Sequence, residues 1–81
     1  MTSNKEEIKN KIIYRATYRG TKEMDILMSN FVDSVINELN FVQLQNLDLL
    51  VNLSDEDLIL IKKKEKKINT DTFILEKFEK F

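Results

Sequence analysis

Apolar side chains recur along this chain at intervals of three and four residues, which is the spacing that places them on one side of an α-helix. Ile8, Ile12, Ile13 and Ala16 mark a first helix over residues 5–19. The stripe Met24, Leu27, Met28, Phe31, Val32, Val35, Ile36 and Leu39 marks a second over 21–39, with Thr21 as its amino-terminal cap, Glu23 and Asp25 in its first turn, and Asn40 as its stop. Leu44, Leu47, Leu50 and Val51 predict a third helix over 42–52. Leucines this dense also suit a buried strand, and helical neighbours decide for helix. Ser54-Asp-Glu-Asp57 reads as a cap with an acidic first turn, opening a short helix through Leu58, Ile59 and Ile61 whose carboxyl end meets the lysine-rich stretch 62–67. A further cap in Asn69-Thr-Asp-Thr72 precedes a fifth helix lined by Phe73, Ile74, Phe78 and Phe81. No alternation supports a sheet, so the pattern predicts an all-α fold, a small five-helix bundle forming one domain over 1–81, with 1–6 and 79–81 as fraying ends.

Composition narrows what such a bundle can do. The chain has no cysteine and no histidine, which removes disulfides, thiolate chemistry, the usual structural zinc sites and imidazole catalysis. No remaining residue set assembles a nucleophile, a base and an orienting group, so an enzyme is not expected. Apolar runs are too short to span a bilayer and the amino terminus lacks the apolar segment of a secretory signal; the expectation is a cytoplasmic protein without membrane insertion. The net charge of −1 hides an uneven distribution: residues 1–20 sum to +3, 21–61 to −7 and 62–81 to +3. Opposed charge favours oriented docking on a protein over general attraction to nucleic acid, and the lysine cluster lacks interleaved aromatics. Asp55, Glu56 and Asp57 lack the ligand alternation of a calcium loop, so no metal site is expected.

The single glycine, Gly20, falls between the first two helices in a chain without proline, where a left-handed residue past a helix end favours glycine. Leading into it, Lys11, Arg15 and Arg19 stand at i, i+4 and i+8, a stacking of like charges that destabilises a helix by roughly 0.2–0.5 kcal/mol per pair. A stripe that costs stability suggests a use. With Lys22 beyond the turn, this edge suits a carboxylate-rich or phosphate-bearing surface; the alternative is a solvated basic face. Tyr14 and Tyr18, four apart, are expected to pack on each other or on the bundle, as core more than as site, and Met24 and Met28 as packing.

The run Ile13-Tyr-Arg-Ala-Thr-Tyr-Arg-Gly-Thr-Lys-Glu-Met-Asp25, followed by an apolar helix to Phe31 and later by Ser54-Asp-Glu-Asp-Leu58, resembles the SdhE family of succinate dehydrogenase assembly factors, or flavinylation factors. Its specific part lies within residues 13–31. The Arg-Gly-x-x-Glu motif falls on Arg19, Gly20 and Glu23, with Asp25 just after; many members have a tryptophan near Tyr14 and a proline or glycine in the second helix, and this chain has neither. The resemblance implies a monomeric helical factor that binds the flavoprotein subunit of succinate dehydrogenase, or of fumarate reductase, and promotes covalent attachment of FAD to a histidine of that partner. It implies no stably bound cofactor in the factor itself. Arg19, Gly20 and Glu23, supported by Asp25, Arg15, Lys11 and Lys22, are then the partner-binding residues. The other function suggested by this resemblance is an antitoxin-like, protein-binding or nucleic-acid-linked regulator of a toxin pair.

Overall fold

The computed structural model describes residues 4–81, which form five α-helices and no strand among the described residues. These are α1 (Asn4–Thr17), α2 (Lys22–Val35), α3 (Phe41–Val51), α4 (Asp55–Lys62) and α5 (Thr72–Lys80), with a 3-10 turn at Ile36–Glu38. Residues 1–3 of the segment expected to fray lie outside the described residues, while residues 4–6 belong to α1. No described helix is long and apolar enough to cross a membrane.

α1 packs against both α2 and α3, while α5 lies on α3 and α4. The predicted stripes supply the core. Ile12 and Ala16 of α1 meet Met28 and Phe31 of α2 and Leu44 and Leu47 of α3 in one buried cluster, and no polar side chain is buried with them. Phe31 joins α2 to α5, standing edge-on to Phe78 with ring centroids 5.1 Å apart and to Phe81 at 5.4 Å. Edge-to-face pairs of this kind add about 0.5–1.5 kcal/mol beyond the area they bury.

Several boundaries differ from the periodicity. The first helix stops at Thr17, two residues short of Arg19, because the chain must already be turning towards Gly20. The second gives up its α-geometry at Val35; Ile36 and Leu39 stay buried through the tighter 3-10 turn. Asn40 does not stop the second helix. It starts the third, accepting from the Gln43 backbone N–H at 2.8 Å while the Gln43 side chain accepts from the Asn40 N–H at 3.0 Å, a reciprocal capping box. Thr21 stands at the cap position of α2 in extended conformation but its side chain makes no capping bond. Ser54 and Asp71 cap α4 and α5 through Asp57 and Phe73 as their residue types require. Ile13, Ile59, Phe73 and Phe81 are exposed, whereas Leu75 is buried.

A second left-handed residue follows α4. Lys64 has φ of 62°, its N–H donates to Ile61 O, and the next N–H, of Glu65, donates to Leu60 O. These are the two bonds of a Schellman turn with lysine where glycine is favoured. Beyond it the Lys66 ammonium meets Asp57 at 2.9 Å, folding the lysine-rich loop back onto the start of α4. The Lys66 hydrogen bond holds the Asp57 carboxyl below its ordinary pKa, aided by the lysine charge and by Ser54 and opposed by burial. Lys62 donates to Phe78 O at 2.9 Å, and its burial against α5 lowers its pKa.

Replacing Lys64 by glycine removes the steric cost of the left-handed conformation and raises the flexibility of the unfolded chain, with a net gain of up to about 1 kcal/mol. Urea unfolding of K64G should therefore show a higher midpoint with an unchanged slope.

Candidate functional site

The turn between α1 and α2 carries the motif, and the structure divides its residues into an inner and an outer set. Arg19 belongs to the inner one. Its side chain is 9% exposed, and it leaves the row formed by Lys11 and Arg15 because α1 has already ended. The guanidinium reaches the turn between α3 and α4: Nη1 donates to Val51 O, Nη2 donates to Leu53 O, and Nε meets Asp55 Oδ1 at 2.8 Å. One planar side chain thus satisfies two carbonyls at the end of α3 and pairs with a carboxylate in the first turn of α4. α3 has no basic residue in its own last turn, so the charge that complements its carboxyl end comes from another element.

Asp25 is the other inner residue. Half-buried in the first turns of α2, it accepts a hydrogen bond from the Arg19 backbone N–H at 2.6 Å, while its own N–H donates to Thr21 O. That pair closes the turn over Gly20. Gly20 has φ of +110°, a conformation L residues rarely adopt, yet a Cβ built there meets nothing within 4 Å. The demand for glycine is therefore conformational, and the space beside it is open to solvent.

Glu23 and Lys22 are exposed on the outer side of the turn and form no ion pair with a described residue. Along α1, Lys11 and Arg15 are exposed as well, and Arg15 Nη1 donates to Asn52 Oδ1 at the end of α3. Tyr14 and Tyr18 pack on each other as a tilted pair with centroids 4.8 Å apart, as their spacing suggests. They are not core. Their exposures are 65% and 70%, and with Lys11, Arg15 and Asn52 they line a shallow groove whose floor includes Arg19 and Val51. The spacing rule gave their mutual contact but not the face, because the apolar side of α1 is already taken by Ile12 and Ala16. Nothing in the sequence pattern marks Asn52 and Asp55 as parts of this region; only the spatial match between the Asp55 carboxylate and Arg19, and between Asn52 and Arg15, reveals them. Met24 and Met28 are packing, as expected. No group of acidic, histidine or cysteine side chains among the described residues is arranged to hold a metal.

Fold and edge define a class: a small all-helical domain whose polar chemistry is displayed on one turn and one flank. A model of the Sdh5 family, described as flavinator of succinate dehydrogenase, matches residues 10–81. The chain belongs to that family of assembly factors, which act in FAD attachment to succinate dehydrogenase. No curated protein and no solved structure matches the chain significantly.

Removing the Arg19 side chain leaves Asp55 and two carbonyls without their partner in a partly exposed turn, where each charge-assisted bond is worth at most about 1.5–3 kcal/mol. Arg19→Ala should destabilise the domain by roughly 2–3 kcal/mol after allowance for water reaching Asp55, and Arg19→Lys by nearly as much, because an ammonium cannot fork to three acceptors in a plane. Thermal unfolding followed by circular dichroism measures both.

Proposed function

We propose that the α1–α2 turn is the docking tip through which this factor engages the flavoprotein subunit, and that it promotes FAD attachment by holding the partner's flavin site in a reactive arrangement. The observation that carries this reading is the division within the motif: Arg19 and Asp25 are spent on shaping the turn, which leaves Gly20, Lys22 and Glu23 outward with no internal partner. A turn shaped at such structural cost, with an open backbone at Gly20, suits close approach by another protein surface.

On this reading the factor contributes no nucleophile and no proton-transfer group of its own. Its lack of histidine means that a histidine receiving the flavin is the partner's. Fixing a reacting side chain next to its target converts a loose encounter into an intramolecular one, and well-oriented cases of this kind reach effective molarities on the order of 10⁵ M and above. Glu23 orders the partner's backbone or a basic side chain by accepting hydrogen bonds, and Lys22 adds a cation beside it. The factor works as a cytoplasmic monomer, keeps no cofactor stably, serves the fumarate reductase flavoprotein as a second client, and takes no nucleic acid.

Glu23→Ala leaves the fold intact, since the Glu23 side chain makes no internal hydrogen bond or ion pair and a first-turn carboxylate adds only about 0.3–1 kcal/mol, and should cut covalent flavin on the co-expressed flavoprotein subunit roughly ten-fold or more, as loss of a docking hot spot does. In-gel flavin fluorescence gives the readout. Normal flavin with a soluble, folded E23A chain would sink the proposal. Gly20→Val should lose flavin as well and also lower the melting temperature, because it adds strain at φ of +110°.

A further inference from the structure

The groove beside the turn carries chemistry that the docking tip alone does not use. Its exposed walls are Lys11, Tyr14, Arg15 and Tyr18 on α1 and Asn52 at the end of α3, and no carboxylate lines it. The Lys11 ammonium and both tyrosine hydroxyls have no hydrogen-bond partner among the described residues, and Arg15 spends one guanidinium nitrogen on Asn52 while the rest of its donors stay free. The Asn52 amide nitrogen is engaged by Asp48. What remains on offer is a set of N–H and O–H donors, carried by two cations and two hydroxyls, beside a tilted pair of aromatic rings. The groove is rich in donors and poor in acceptors. Lys11 also lines a neighbouring recess together with Glu7 and Asp48, so carboxylates border the groove at that end.

We propose that this groove binds an acidic segment of the flavoprotein subunit, with a carboxylate side chain held between Lys11 and Arg15 and an apolar or planar side chain laid against Tyr14 and Tyr18. This rests on the docking reading above and extends it from the turn to the flank of α1. Charge complementarity identifies the occupant: a carboxylate supplies the acceptors that the groove lacks, and arginine with lysine at one helical turn grips it with charge-assisted bonds. The paired tyrosines supply rigid aromatic area at low entropic cost, which is how exposed tyrosines become anchors at protein interfaces. Arg19 here is a positioning residue, because its grip on Val51 and Leu53 fixes the end of α3 and hence Asn52 against α1.

The test uses the full chain and the purified flavoprotein subunit lacking covalent flavin, with Kd measured by calorimetry at several salt concentrations. Lys11→Glu and the double variant Tyr14→Ala/Tyr18→Ala should each raise Kd ten-fold or more, and K11E should flatten the salt dependence because one charge contact is gone. The double variant Tyr14→Phe/Tyr18→Phe keeps the rings and should recover most of the affinity lost with alanine. Lys11 and the tyrosine rings lie outside the core, so circular dichroism should report unchanged folding. Wild-type Kd in folded K11E and Y14A/Y18A chains overturns the groove. If E23A then still abolishes binding, the docking tip stands without the groove; if the wild-type chain does not bind the subunit at all, the docking reading itself fails. Pyrophosphate or free FAD binding to the isolated factor, lost in K11E, would assign the groove to a phosphate ligand and overturn the acidic-segment assignment.

Discussion

Everything distinctive about this domain depends on where the Arg19 guanidinium lies. It bridges chain segments more than thirty residues apart, holding the end of α3 and the beginning of α4 to the turn between α1 and α2. A helix end leaves carbonyls without partners and a partial negative charge; a helix start leaves the opposite. At the α3–α4 turn the two kinds of end meet. Asp55 answers the positive end of α4, and Arg19 answers both Asp55 and the negative end of α3. Guanidinium geometry is what permits this, since its donors point in one plane along different directions, whereas an ammonium concentrates charge at a point.

Such a tie matters more in a small all-α domain than in a larger one, because a domain of this size buries only roughly 60–65% of its unfolded surface. Apolar packing alone fixes the helices to one another through a thin core. The Phe31, Phe78 and Phe81 cluster secures α5 against α2. The Arg19 network secures the opposite connection, between the first two helices and the α3–α4 turn. Losing Arg19 therefore does not simply delete a contact; it frees the turn on which Gly20 and Glu23 are displayed.

Helix number and core membership were legible because burial follows periodicity: Met28, Phe31, Leu44 and Leu47 could face nowhere else once their elements were helical. The turn at Gly20 was legible because only glycine takes φ of +110° cheaply. The turn at Lys64 was not, because the residue type argues against the conformation that the helix end imposes, and the two bonds made there outweigh the side-chain cost. Asn40 is ambiguous in sequence for a related reason. Asparagine serves both helix ends, and only the partnership with Gln43 decides which. Counting in fours puts Arg19 on the exposed row, a count that fails once the helix ends at Thr17. The tyrosines escaped for want of information on which face of α1 was already occupied.

The motif Arg-Gly-x-x-Glu thus contains two physical layers that sequence alone presents as one. Arg19 acts inward, through long-range hydrogen bonds to backbone that it did not have to be near in the chain, and Glu23 faces solvent with no internal bond. On the proposed docking reading, an activity measurement merges the layers, since a collapsed turn and a missing carboxylate both leave the partner without its docking tip. Stability separates them: an inward residue contributes its hydrogen bonds to the folding free energy, whereas the outward Glu23 contributes only the small helix-dipole effect of a first-turn carboxylate until a second surface arrives. Gly20 belongs to both, because the backbone conformation that lets Arg19 turn inward is the same one that leaves the outer face of the turn open.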